Sequence, residues 1–391
     1  MLRFLTAGES HGRALVVVVE GVPAGLEVAA DDITGELARR RLGYGRGPRM
    51  RFEQDDLTLV GGVRHGRTLG SPIAIEIANT EWERNPDKWG KELSPHAADG
   101  PTTAPLTQPR PGHADLAGMQ KYGFTDARDV LERASARETA ARVACGALAK
   151  QLLAAFDAEI RSHVIQLGGV PDTPLTVDWD AINAIPDDAP LRCADVESQQ
   201  RMVELIDETK RAGDTLGGIF EVVAHGLVPG LGSHTSWDSK LDGRLAQAVM
   251  SIPAVKAVAL GAGVEATGLP GSQVHDEIFY DNQLQEFVRH TNRAGGLEGG
   301  VTNGAELRVR GFLKPISTLR RPLRSVDIDT KEEEAAAFER SDVTAVPAAG
   351  VIGEGMIALV LADAMVEKFG GDSLGEMRRN FDGYWRQLHE Y

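Results

Sequence analysis

Cysteine is scarce in this chain: Cys145 and Cys193 are the two present in 391 residues. They make neither a disulfide framework nor a metal-ligand spacing, so no metal site is expected. Cations are outnumbered, with 42 Lys and Arg against 57 Asp and Glu and a formal charge of −15. That balance argues against a generic nucleic-acid binder, whose affinity rests on neutralising phosphates, and against a polybasic membrane anchor. Aromatic residues are few, at 5%. Near the N-terminus no signal-type apolar region forms, because Glu9 and His11 arrive too early. Apolar runs are expected to fall short of the roughly 20 residues that a membrane span needs. The common nucleotide fingerprints, GxGxxG after a strand and the P-loop, are missing as well. These absences point to a soluble cytoplasmic protein with neither nucleic acid nor membrane as partner.

Glycine is plentiful, with 44 residues, about 11% where roughly 7% is usual. It falls in pairs such as Gly61-Gly62, Gly217-Gly218, Gly295-Gly296 and Gly299-Gly300, without a low-complexity tract. Backbone is therefore turned sharply, or brought close to something, at many points. The run Val16–Val19 reads as a buried strand, and further strands are expected near 57–66, 71–80, 159–170, 214–228 and 254–264. Helices are expected after Asp31 or Asp32 as N-cap, and near 134–156, 200–211, 238–252 and 350–369. The last of these stops at Gly370-Gly371. From Asn79 to Arg110 the chain has little periodicity, which suggests a functional loop or lid. No linker separates two cores, so the fold class is α+β in one domain over residues 1–391.

Six stretches carry possible chemistry. "GESHG" (8–12) crowds a glutamate, a serine and a histidine between glycines ahead of a strand. "RRRLGYGRGPR" brings together Arg39, Arg40, Arg41, Arg46 and Arg49, an anion site in waiting or a solvated helix end. "RPGHAD" sets Arg110, His113 and Asp115 in a turn. "ERASARET" places Arg133 and Arg137 four apart; if a helix begins near Ala134, its N-terminus favours phosphate. The pieces "NRAGGLEGG" and "KPIST" offer bare backbone and donors to a phosphate. Asp342, in "RSDVTAVPA", precedes a helix where an unpaired carboxylate serves as a base.

Together with "SIPAVKAV", and in this order, these motifs resemble the chorismate synthase family from residue 8 to about 350. The resemblance implies conversion of 5-enolpyruvylshikimate 3-phosphate to chorismate by an anti 1,4-elimination of phosphate. Such an enzyme is a carbon–oxygen lyase of the shikimate pathway, and it requires reduced FMN without net redox change. It implies that His11 protonates the departing phosphate, that His113 stabilises the anionic reduced flavin, and that Asp342 is the base at flavin N5. FMN contacts carry over to Arg133, Ala134, Ser135, Pro253, Ala254, Gly299, Lys314, Pro315, Ile316, Ser317, Thr318 and Arg340. Substrate or NADP contacts carry over to Arg40, Arg46, Arg49 and Arg137. The implied fold is a β-α-β sandwich with helices between two mainly antiparallel sheets, assembled as a homotetramer. NADPH is the expected indirect reductant and an external flavin reductase the expected partner, with self-reduction of FMN as the alternative the sequence leaves open. Two departures stand out. Asp342 is followed by Val343 where many relatives carry proline, and the flexible loop of about 80–110 is longer than in compact relatives.

Two other classes of function remain to be weighed. A flavin or phosphometabolite carrier needs the arginines and glycines but not His11, His113 and Asp342. An RNA-binding module built on Arg39–Arg49 sits badly with the negative charge and the few aromatics.

Overall fold

The valine run near the N-terminus forms a strand buried on one side. In β2 (Ala14–Glu20) Leu15, Val17 and Val19 face inward, while Val16 and Val18 are exposed. This is the period of two of a pleated strand, and it corrects the expectation of a fully buried run. The computed structural model describes residues 1–96, 103–172, 176–283, 285–339 and 342–391. Arg340 lies outside them.

β1 (Arg3–Ala7) pairs antiparallel with β2. The helix α1 (Ala30–Arg41) follows, capped by Ala29 and not by an aspartate; Asp31 and Asp32 lie inside its first turn, where they favour the helix dipole. β3 (Leu57–Gly61) and β4 (Ile73–Ala78) complete a four-stranded antiparallel sheet in the order β1-β2-β4-β3. The aperiodic stretch after β4 is partly helical, with a short turn of helix at Thr80–Arg84 and α2 at Pro86–Glu92. Trp89 of α2 is buried, which tethers this stretch to the body.

After α3 (Asp115–Tyr122), the helix expected over 134–156 starts later, at Thr139, and a separate short helix precedes it. α4 (Arg128–Ala134) ends at Ser135, whose ψ is 144°, and α5 (Thr139–Ala154) starts after a single 3-10 turn. The Ser135 hydroxyl accepts from the backbone N–H of Arg137 at 3.3 Å, the competition by which serine interrupts helices. Arg133 and Arg137 therefore do not share a helix face.

The second sheet is built from β5 (Glu159–Leu167), β6 (Val170–Pro171), β7 (Gly218–His225), β8 (Val255–Leu260) and β9 (Leu307–Leu313). Its order is β8-β9-β7-β5-β6, antiparallel throughout. α6 (Val196–Ala212) precedes β7, and α7 (Leu241–Met250) precedes β8. The chain ends with α8 (Val346–Phe369) and α9 (Leu374–Glu390). α5 packs on β1, β2 and β4, α8 packs on β5, β7 and β9, and the two helices pack on each other. At their crossing a Cβ on Gly146 would lie 2.3 Å from the Gly355 Cα, so the two backbones touch.

α8 is apolar all round, as a helix enclosed on every side must be. By length and composition it is long enough to cross a membrane, which corrects the expectation from apolar runs. Most of its most apolar window, 83%, is buried inside the protein. It also carries Glu354, wholly buried, paired with Arg39 at 2.7 Å and with Arg192 at 3.3 Å. This is the environment of a core helix.

Candidate active site

The end of α1 and the loop after it supply most of the arginines. Arg40 is 3% exposed, with Nη2 3.7 Å from Asp55, and its Nη1 donates to Thr139 at 3.4 Å. Arg137 is held in the same floor: it contacts Asp55, and its Nε donates to Asn79 at 2.7 Å. Arg41 lies 3.4 Å from Asp55, and Arg49 pairs with Glu53 at 2.9 Å. Arg46 pairs with Asp342 at 3.2 Å, and the Asp342 carboxylate accepts from the Gly47 N–H at 2.5 Å. Asp342 is thus an ion-paired group and not the unpaired carboxylate the sequence suggested. Five guanidinium groups face three carboxylates, a local positive excess in an acidic chain.

Burial pushes the Arg40 guanidinium down to about 10; Asp55 opposes this, and the neighbouring Arg137 and Arg46 add to it. Burial alone would raise the Asp55 carboxyl, but Arg40, Arg137 and Arg41 hold it below the usual carboxylate range. Arg40 Nε and Nη2, Arg41 Nε and Arg46 Nε are buried without a hydrogen-bond partner. Buried orphan donors are costly, and an anion is the ligand that satisfies them.

His11 lies beside this pocket. Its Nδ1 is 2.9 Å from Glu132 Oε1, and its backbone N–H donates to Glu132 Oε2 at 2.8 Å. The Trp89 ring stacks on the imidazole, with centroids 4.2 Å apart and planes 15° from parallel. Ser10 joins the turn to the arginines: Arg49 donates to its hydroxyl at 3.0 Å and to its carbonyl at 2.7 Å. The Ser135 hydroxyl donates to Ser10 Oγ at 3.1 Å.

A second group forms where the "RPGHAD" turn meets the end of β9. His113 Nδ1 contacts Asp115, which also accepts from Arg110 Nε at 2.8 Å. Burial would raise the Asp115 carboxyl, yet its hydrogen bonds to His113 and Arg110 hold it well below the usual range. Arg110 Nη1 donates to Thr318 at 3.1 Å, and Lys314 Nζ donates to the Gly112 carbonyl at 2.7 Å. The backbone of Lys314 donates to Ala254, beside Pro253, at 3.0 Å. Ala254 has φ +70°, a left-handed conformation that a non-glycine residue adopts at a cost. Ile316, next to Pro315 and Ser317, accepts from Thr215 at 2.8 Å. Leu216 in turn donates to Val343, beside Asp342, at 2.8 Å. The two groups are thereby joined at one end of the fold.

Two residues assigned to the cofactor are placed differently. Arg133 points along β1, donating to the Thr6 carbonyl at 2.9 Å and the Gly8 carbonyl at 3.1 Å, with its neighbour Ala134 ending α4. Gly299 lies in the turn between Leu297–Glu298 and Val301–Thr302, near the start of β9, while Lys314 follows its end. Seven strand residues separate these ends, roughly 20 Å. Gly299 is therefore not brought to the His113 group within one chain. Sequence reasoning passed over Glu53, Asp55, Trp89 and Glu132. Glu53 and Asp55 flank an ordinary polar stretch, and only pairing across the fold reveals them.

The family model described as chorismate synthase matches residues 2–366. A chorismate synthase of Solibacter usitatus is 56% identical over 394 aligned residues, covering 100% of both chains. One of Salinispora tropica is 57% identical, covering 98% of each. A solved structure titled "Crystal Structure of Chorismate Synthase" superposes with a TM-score of 0.79 at 40% identity, covering 100% of this chain and 99% of that one. With its motifs in order and its full length matched, the chain belongs to the chorismate synthase family.

Proposed function

We propose that the arginine pocket binds the phosphate and carboxylates of 5-enolpyruvylshikimate 3-phosphate and that His11 protonates the leaving phosphate. The activity is that of the family, a 1,4-elimination giving chorismate. The observation that carries this placement is the excess of guanidinium groups, several with orphan donors, beside a histidine with one ring nitrogen already held. Arg46 and Arg49 line the pocket's outer side. Arg40 and Arg137, deeper and already paired, set the charge of its floor.

The His113 group fits a phosphorylated planar cofactor. Lys314, Ser317, Thr318 and Arg110 offer donors around Gly112, where a Cβ would come within 3.2 Å of Lys314 Nζ. Pro253 and Ala254 close the same corner. Reduced FMN, when bound, supplies the electron that transiently weakens the C–O bond. His113, locked to Asp115 through Nδ1, would present Nε2 to an anionic ring. Asp342 would accept the proton, with Arg46 and the Gly47 N–H holding its carboxylate in place. NADPH would act only indirectly, through a separate reductase. The finer architecture would be a single β-α-β sandwich, working as a homotetramer in the cytoplasm, with the described residues of the 80–110 segment as a cover; residues 97–102 of that segment lie outside the described residues. Gly299 would meet FMN only from a neighbouring subunit.

An anaerobic assay with chemically reduced FMN and the phosphorylated substrate tests the reading. Release of chorismate and phosphate in equal amounts, without consumption of reductant, is the expected result. Retention of flavin and substrate without product would favour a carrier instead.

A further inference from the structure

We propose that Glu132 is a positioning residue for His11, fixing the ring with its proton on Nδ1 so that Nε2 alone exchanges a proton with substrate, while Trp89 fixes the ring plane. The inference rests on the reading of His11 given above.

Three observations carry it. Glu132 grips the "GESHG" turn at three points: His11 Nδ1 at 2.9 Å, the His11 N–H at 2.8 Å, and the Ser10 N–H through its own carbonyl at 3.0 Å. A carboxylate only accepts, so the ring nitrogen facing it carries the hydrogen. Nε2 takes no partner among the described residues. Trp89, 5% exposed, then covers one face of the ring. An unrestrained imidazole in water favours the opposite tautomer, with hydrogen on Nε2, so the carboxylate reverses the intrinsic preference.

The charged surroundings keep Glu132 anionic. Burial would raise its carboxyl, but its bonds to His11 and the charge of Arg128 hold it below the usual range. Arg128 is 3.3 Å from Glu132 and 3.3 Å from Glu92 of α2. Lys88 of α2 sits 4.2 Å over the Trp89 ring, Arg49 holds Ser10, and Glu9 belongs to the same turn. Glu92 shares Arg128 with Glu132, and among the described residues it is Glu132 whose carboxylate faces the His11 ring nitrogen.

The test is nitrogen NMR of the full chain with labelled histidine, in alkaline buffer, beside steady-state kinetics. In wild type the His11 shifts should report hydrogen on Nδ1 and a bare Nε2. Glu132→Gln retains the size but must turn its NH2 toward a donor, so the ratio should move toward Nε2–H. Its kcat should fall about 10²-fold, the scale of losing an aligned general acid, with KM little changed. Glu132→Asp retains the charge and should recover part of both. His113, held by Asp115, should keep its shifts in every variant and so report a folded site.

A wild-type His11 with hydrogen on Nε2 would overturn the proposal whatever the variants do. So would Glu132→Gln with unchanged shifts and unchanged kcat. If His11→Ala turned over at the wild-type rate, the reading of His11 as a catalytic group would fail, and this proposal with it. A slow His11→Ala beside a wild-type-like Glu132→Gln would remove Glu132 alone.

Discussion

Asp55 and Arg137 meet at the floor of the arginine pocket, the one wholly buried and the other nearly so. Asp55 holds φ +56° there, a strained backbone for a residue with a side chain. The same carboxylate faces Arg40 and Arg41, so one buried anion restrains three guanidinium groups. That arrangement sets the pocket's charge before any ligand arrives.

Removing this anion should be costly in the folded state itself. Asp55→Ala leaves buried Arg40 and Arg137 and the partly buried Arg41 without their shared anion, and breaking a buried pair from one side costs about 3–5 kcal/mol. Urea unfolding of the purified variant measures this directly. A loss under about 1 kcal/mol would mean that the arginines relax toward solvent and that Asp55 does not organise the floor.

The crossing of α5 and α8 predicts an asymmetry between two glycines. Alanine at position 146 gains helix propensity worth about 1 kcal/mol, but its Cβ would press within 2.3 Å of backbone. Backbone does not yield, and overpacking costs about 1–3 kcal/mol, so Gly146→Ala should lower the melting temperature. At Gly355 the nearest atom to an added Cβ is 3.5 Å away, an ordinary contact. Gly355→Ala should be neutral or slightly stabilising. Equal losses at both positions would disprove this packing of the two helices.

Much of the frame was legible in residue pattern, and the exceptions have physical causes. Strand periodicity and the glycine stop at 370 marked β2 and the end of α8. The break at Ser135 was hidden because small residues and arginines continue on both sides with good helix propensity; a side-chain hydrogen bond decides it. α9 was passed over although Ser373 and Glu376 have the spacing of a capping box: the serine accepts from the Glu376 N–H at 3.3 Å, while the Glu376 carboxylate accepts from the Asp372 N–H at 3.1 Å. In the site, His11, His113 and the arginines stand in motifs of unusual composition. Trp89 lies in an aperiodic stretch, and Glu132, though it opens "ERASARET", sits in a helix where a glutamate four residues after Arg128 reads as surface pairing. Only the folded chain sets them against His11.

Acid should unfold the chain through carboxylates buried beside arginine. On the second sheet, burial would raise the Glu221 carboxyl, yet His163, Arg308 and Arg310 hold it at about 2. A folded value depressed below the unfolded one of about 4.3 gives stability that is fully present above that value. It is lost as pH falls from there through about 2. A pH series of denaturant midpoints should therefore be flat from neutrality to about 5 and then decline. Glu221→Gln should be less stable than wild type at neutral pH and decline less steeply in acid. Parallel acid limbs in the two proteins would show that Glu221 does not contribute.

Asp342 is tied to Arg46 and to the Gly47 N–H, so two roles must be separated. One is to hold the loop that carries Arg46; the other is to accept a proton during turnover. Asp342→Asn keeps an oxygen for the Gly47 N–H and most of the shape, but it cannot serve as a base. With pre-reduced FMN and saturating substrate, its kcat should drop by about 10² or more. Substrate KM and flavin affinity, the latter read by fluorescence quenching, should stay within a few-fold of wild type. The opposite pattern, a raised KM with kcat intact, would mean that Asp342 acts only by placing Arg46. In that event Arg46→Lys should reproduce it, since lysine retains the charge without the planar fork. A fall in kcat that Arg46→Lys does not share leaves the proton as the difference between the two variants.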